Sequence, residues 1–234
     1  MGVMETQHGH PEGDDALEQL VARVPLFSAL VPEELTAVAQ RVRPRNHPRN
    51  EQLYGAGQKN SKLMILHSGR VKIYRITESG HEQVIRILEP GDFLGESTFF
   101  SGATSDHFAV TLESSDICEL HHDELHDYLL AYPSVAVKMV ETLSARLAGT
   151  EHQLSMLAGE DAEHRLAAYL IALHDSSGKT VIKLPTTKKD VASFLGLTPE
   201  TLSRKLSQFE EAGWLRIGSR RQIELIDAQA LRLI

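Results

Sequence analysis

Cysteine occurs once in the 234 residues, as Cys118. A lone thiol excludes an internal disulfide framework, a four-cysteine zinc site and an iron–sulfur cluster held by one chain. Long apolar runs are missing too: no segment approaches the roughly 20 residues that span a bilayer, so no membrane partner is expected. Residues 1–15 have no apolar stretch of the signal-peptide kind, which makes the cytoplasm the expected compartment. They also lack periodicity and read as a disordered tail, where His8 and His10 have no third ligand nearby. Basic charge is scarce. The 24 Lys and Arg against 32 Asp and Glu give a net charge of −8, which by itself argues against a nucleic-acid partner. What is present is 41% hydrophobic and 24% charged residues, the balance of a globular protein with one large or two modest domains.

The texture of the chain changes three times. From Ala16 to Val42 the spacing of Leu17, Leu20, Val21 and Val24 predicts a helix, with a second starting at Pro32. From Asn46 to about Glu119, short apolar runs alternate with turn signals such as Gly55-Ala56-Gly57, Ser68-Gly69 and Glu89-Pro90-Gly91-Asp92. Strands at that interval predict a small antiparallel barrel or jelly roll. Beyond Pro133, Ala136, Val140, Leu143, Leu147, Thr150, Leu154 and Leu157 fall at steps of four and three. Such a seam predicts a parallel coiled-coil dimer; the competing reading is a helix packed on its own barrel. Thr150 is its polar exception.

Thr186–Leu215 carries the strongest local signal. A short amphipathic helix ends at Gly196, Leu197 fills the corner, and Thr198-Pro199-Glu200 supplies an N-cap, a first-turn proline and an acid for the next helix. That helix buries Leu202, Leu206 and Phe209. On its other face Glu200, Ser203 and Arg204 project together at i, i+3 and i+4. A carboxylate, a hydroxyl and a guanidinium suit base edges in a major groove. Lys205, Lys188 and Lys189 are placed to meet phosphates, and Thr198 stands at the same helix end. Downstream, two short strands flank Gly218-Ser219-Arg220-Arg221, a wing with a basic tip. Lys183–Arg221 sums to +4 and the remainder to −12, the footprint of a DNA reader on an acidic body.

Roll, long helix and winged helix-turn-helix together resemble the CRP/FNR family of bacterial transcription regulators over about residues 20–227. Gly91-Asp92-Phe93-Leu94-Gly95-Glu96 is similar to the family's barrel turn. Glu200-Thr201-Leu202-Ser203-Arg204 resembles the E-x-x-S-R recognition helix of the FNR branch, and Ser68–Tyr74 with Arg86–Phe93 resembles the Flp proteins. The resemblance implies an α+β chain with a tail (1–15), a cyclic-nucleotide-binding-like β-roll that senses an effector (16–132), a dimerisation helix (133–159) and a winged helix-turn-helix (160–234). It further implies a homodimer on double-stranded DNA, a palindrome with TTGAT and ATCAA half-sites, and RNA polymerase as the regulated partner. Val140, Leu143, Leu147, Thr150, Leu154 and Leu157 would then form the dimer interface.

The signal is harder to read. Relatives that bind cyclic AMP hold its phosphate with an arginine, whereas here no Arg stands between Arg86 and Arg146. The corresponding stretch reaches Asp106-His107, and a carboxylate there would repel a phosphodiester. The candidate effector pocket is therefore Gly95, Glu96, Ser97, Asp106, His107 and Thr150, with no cyclic AMP expected. The N-terminal cysteines of the cluster-bearing relatives are absent, so no iron–sulfur cluster is expected either. Cys118 is a redox candidate or a small buried residue. His121, His122 and His126 are a metal candidate against the reading of a solvated helix face, and haem stays a candidate cofactor. Two other function classes compete: a constitutive DNA binder with an empty barrel, and a cupin-type jelly-roll enzyme. The second lacks an H-x-H pair on a barrel strand.

Overall fold

The computed structural model describes residues 22, 24–28, 30–39, 44–60, 62–159 and 161–234. The tail with His8 and His10, and the expected first helix up to Val21, lie outside them; Val24, which the spacing puts in that helix, is instead extended and precedes the 3-10 turn. A 3-10 turn, Pro25–Phe27, and helix α1, Pro32–Ala39, precede eight strands. These are β1 (Pro44–His47), β2 (Gln52–Tyr54), β3 (Lys62–Ser68), β4 (Val71–Ile76), β5 (Glu82–Leu88), β6 (Phe93–Leu94), β7 (Phe108–Thr111) and β8 (Ser115–His121). Helix α2 (Glu96–Ser101) follows β6, and α3 (His122–Ala131) follows β8. The strands form two four-stranded sheets, ordered β1-β8-β3-β6 and β2-β7-β4-β5.

Two compact units divide the chain. The first holds residues up to Val71, Leu88–Ser105 and Val110–Leu143; the second holds Lys72–Ile87, Asp106–Ala109 and Ser144–Ile234. Within the second unit the β4–β5 hairpin bonds to residues of the C-terminal segment. In the first unit, β8 pairs antiparallel with β1 and β3, setting Cys118 opposite both Pro44 and Ile65. Leu63, Ile65, Phe93, Cys118 and Leu120 from these strands share a core with Leu26, Phe27, Val38, Val135 and Met139. Gly95 ends β6 at φ 91°, and a Cβ there would stand 2.5 Å from the Lys62 carbonyl oxygen. Only glycine fits that turn without displacing backbone.

The heptad segment forms one helix, α4, from Pro133 to Gly159. Val135 and Met139 are buried in the first unit's core and Leu143 packs on its edge. Val140, Leu147 and Leu154, seven residues apart, stay about three-fifths exposed at 62%, 61% and 61%. Thr150 is satisfied locally: its Oγ1 donates to the Arg146 carbonyl at 2.9 Å.

Helix α5 (Ala162–Ser177) opens the C-terminal segment under an Asp161 cap. Then come β9 (Val181–Lys183), α6 (Lys188–Phe194), α7 (Pro199–Glu211), β10 (Leu215–Ile217), β11 (Gln222–Leu225) and α8 (Ala228–Arg232). The three strands form a sheet ordered β10-β11-β9, with Ile223 facing both Ile217 and Ile182. Leu166, Leu170, Val191, Leu202, Leu206, Phe209 and Ile223 fill one apolar core. Trp214 tilts against Phe209 with ring centres 5.4 Å apart.

Candidate nucleic-acid interface

Both helices of the α6–α7 pair start on threonine caps. Thr187 Oγ1 accepts from the Asp190 amide at 3.2 Å, and Thr198 Oγ1 accepts from the Thr201 amide at 3.2 Å. Between them the Leu197 amide returns to the Ala192 carbonyl at 2.8 Å, and Gly196 takes φ 64°. The second helix therefore leaves at a fixed angle, anchored by Leu202, Leu206 and Phe209. Its opposite face carries Glu200, Ser203 and Arg204, all exposed, and their side chains make no hydrogen bond or ion pair with any other described residue. Three polar groups thus stand exposed together at one helix N-terminus.

The flanking cations divide. Lys189 and Arg220 are exposed and Lys188 half-buried, again without an internal partner among the described residues. Arg221 is half-buried, and its guanidinium donates to the Pro185 carbonyl at 3.4 Å. Lys205 departs from expectation. Its ammonium lies 2.5 Å from a Glu163 carboxylate oxygen on α5, so the phosphate role read from its helix position is already taken by an internal acid. On α5, two residues further on, Arg165 donates to the Leu195 carbonyl at 2.8 Å, at the end of α6.

The wing tip is backbone-strained. Arg220 and Arg221 hold φ of 53° and 68°, and the Gln222 amide closes on the Ser219 carbonyl at 3.0 Å. Consecutive positive φ at the two central positions is the turn geometry that favours Asn-Gly.

Sequence reasoning missed a polar network around α6. Lys72 on β4 lies 2.7 Å from Glu82 and 3.3 Å from Asp190. The other Asp190 oxygen accepts from the Thr186 and Thr187 hydroxyls at 2.7 and 2.8 Å. Burial opposes both charges, yet Glu82 and Asp190 hold the Lys72 pKa above its usual value. The threonines and Lys72 likewise hold the Asp190 carboxyl below its own. The Thr187-x-x-Asp190 spacing was the available signal, and so was a lysine amid the apolar Val71–Ile73 run.

The effector candidates divide between the two units. Gly95, Glu96 and Ser97 belong to the first unit, where Glu96 opens α2 half-buried and Ser97 is exposed. Asp106, His107 and Thr150 belong to the second. Asp106 is not the bare carboxylate expected: His107 Nδ1 lies 2.7 Å away and the Arg75 guanidinium is bonded to it. The His107 hydrogen bond first, and Arg75 after it, lower its pKa. The Arg75 charge beside it offsets part of its repulsion of an anion. No arginine occurs between residues 86 and 146, and the guanidinium that the structure sets at Asp106 comes from Arg75 on β4.

Cys118 is fully buried, and burial first, then Asp116, pushes its thiol up to about 12. With no thiolate at neutral pH and no access, the redox reading gives way to that of a small core residue. His121 and His126 are exposed, with His126 3.8 Å from Asp127, and the His122 and Leu157 side chains lie outside the described residues. Among the described residues no three His, Cys, Asp or Glu side chains gather as metal ligands, and no helix is long and apolar enough to cross a membrane.

Residues 44–132 match the cyclic nucleotide-binding domain family and residues 164–234 the Crp-like helix-turn-helix domain family. The chain is 31% identical to the fumarate and nitrate reduction regulatory protein of Escherichia coli over 204 residues, covering 85% of this chain and 80% of that one. It is 25% identical to the CRP-like cAMP-activated global transcriptional regulator of Mycobacterium tuberculosis over 206 residues, 86% of this chain and 92% of that one. Among solved structures, FixK2 from Bradyrhizobium japonicum superimposes with a TM-score of 0.73 at 25% identity, over 82% of this chain and 96% of that one. These relatives are regulators, which sets the cupin-type enzyme aside. A cyclic nucleotide-binding domain followed by a Crp-like helix-turn-helix, with a regulator 31% identical over 85% of the chain, makes this chain a member of the CRP/FNR family of DNA-binding transcription regulators.

Proposed function

We propose that the chain reads a two-fold symmetric DNA site as a homodimer and regulates RNA polymerase there, gated by a redox, metal or small-molecule signal other than cyclic AMP. The observation that carries this reading is the exposed and internally unbonded triplet Glu200, Ser203 and Arg204 at the start of α7. Arg204 forks onto guanine O6 and N7, Glu200 accepts from cytosine N4, and Ser203 takes either role. Lys188, Lys189, Arg220 and Arg221 meet phosphates on either side, and Thr198 fixes the helix end that enters the groove. The uncovered Val140, Leu147 and Leu154 stripe on α4 supports the homodimer, since apolar side chains at heptad spacing are what a second α4 would bury. Two copies then place two α7 helices one turn of DNA apart.

Fluorescence anisotropy on a duplex with TTGAT and ATCAA half-sites four base pairs apart tests the site. Glu200→Ala and Arg204→Ala should each cost about 1–3 kcal/mol and relax base preference at one position. Binding of both variants with wild-type affinity and preference would overturn the assignment.

A further inference from the structure

Among the residues whose burial is described, Lys72 and Asp190 are the only buried Lys, Arg, Asp or Glu, at 8% and 7% exposure, and they are bonded to each other. Burying an ion pair costs desolvation that its own attraction barely repays. Such pairs are poor sources of stability, and their best-attested use is to fix one arrangement against its alternatives. Lys72 has little freedom here: Glu82 holds it from β5, and its ammonium stands 4.8 Å over the Tyr74 ring. Asp190 is equally fixed by the two threonine hydroxyls.

A second contact lies one turn along α6. Ser193 Oγ donates to the Glu82 carbonyl at 2.8 Å and accepts from the Val84 amide at 2.8 Å. Strand β5 is the edge of its sheet, so its outward backbone groups have no strand to bond. One hydroxyl closes both. The hairpin therefore grips α6 at a charge pair and at a backbone pair, and both grips are polar and geometrically exacting.

We propose that Lys72, Asp190 and Ser193 form a lock that positions the reading helices on the β4–β5 hairpin. The lock acts through α6. Helix α7 follows α6 across the Gly196 turn and shares its core, so the orientation of α6 sets that of Glu200, Ser203 and Arg204. A signal that shifts the hairpin reaches the reading face by this route. The inference rests on the DNA-reading function proposed above; Lys72, Asp190 and Ser193 are positioning residues and touch no base or phosphate.

The test uses the full chain with Lys72→Met, Ser193→Ala and the pair combined, on the same palindromic duplex. Each single variant should raise the dissociation constant about tenfold, because the reading face is no longer pre-organised. The slope of log K against log salt should stay at the wild-type value, since every phosphate-binding side chain is kept. The combined variant should lose less than the product of the two single losses, as coupled groups do. Ser193→Thr, which keeps the hydroxyl, should restore binding. Trp214 emission should not move, and a melting midpoint that stays well above the assay temperature separates misorientation from unfolding, since Lys72→Met leaves Asp190 buried without its cation and lowers that midpoint. Hydrogen exchange at the Val84 amide should quicken in Lys72→Met and Ser193→Ala whether or not DNA is present. Dissociation constants within twofold of wild type for both variants, or tighter binding, would overturn the lock as a positioning device. A wild-type chain that binds no duplex overturns the proposed function instead, and the Val84 exchange result then decides whether the lock exists.

Discussion

Glu163 stands 2.5 Å from Lys205 and keeps that ammonium from the outside. A phosphate approaching the flank of α7 must therefore compete with an internal carboxylate. Glu163→Gln removes the competitor. The expected result is a slope of log K against log salt steeper by about 0.9, with a several-fold gain on non-cognate duplex. Adding Lys205→Met should return both to wild type. Sequence placed Lys205 at a phosphate because it sees helix position alone, whereas the acid that claims it comes from 42 residues away. The same limit applied to Asp106, whose charge could be counted but whose Arg75 partner, 31 residues distant, could not. Glu200, Ser203 and Arg204 were legible because their role depends only on i, i+3 and i+4 spacing within one helix.

At the scale of elements, the wing turn sets backbone comfort against side-chain chemistry. Arg220 and Arg221 both sit in the left-handed region, which costs about 1–2 kcal/mol for each non-glycine residue. Arg220→Asn combined with Arg221→Gly should raise stability by roughly 1 kcal/mol in denaturant titrations, since an Asn-Gly pair matches the turn. The same double substitution should weaken DNA binding and flatten the salt slope by about 0.9 for each phosphate left without its cation. A more stable variant with unchanged DNA binding would remove the arginines from the interface. Strands and helices were readable from period and from Gly-rich turns, because both express purely local sterics. The long helix was readable as a helix but only partly by face. Heptad counting puts Leu143 in the seam, whereas Leu143 packs on the core that buries Val135 and Met139. Spacing identifies an apolar stripe and leaves open what covers each member of it.

At the scale of the molecule, the net charge of −8 is a reading segment of +4 on an acidic remainder, a distribution that favours DNA at one face and discourages coating elsewhere. The bonding of the β4–β5 hairpin to the C-terminal segment was the least legible feature. Nothing in a linear reading assigns the 72–87 hairpin to the C-terminal segment; a buried charge pair and one serine do so. The proposed dimer makes a separate demand, because Leu147 and Leu154 leave apolar surface uncovered. Leu147→Asp with Leu154→Asp should convert a sedimenting dimer to a monomer while Trp214 melting is retained.

The central claim is that two reading heads act on one symmetric site. The direct measurement is a stoichiometric titration of wild-type chain into two labelled duplexes, one with both half-sites and one with a single half-site scrambled. Two heads held together should saturate the first at two protomers per duplex and prefer it by about a hundredfold, because the second head binds at high effective concentration. Equal affinity for the two duplexes, or saturation at one protomer, would contradict it.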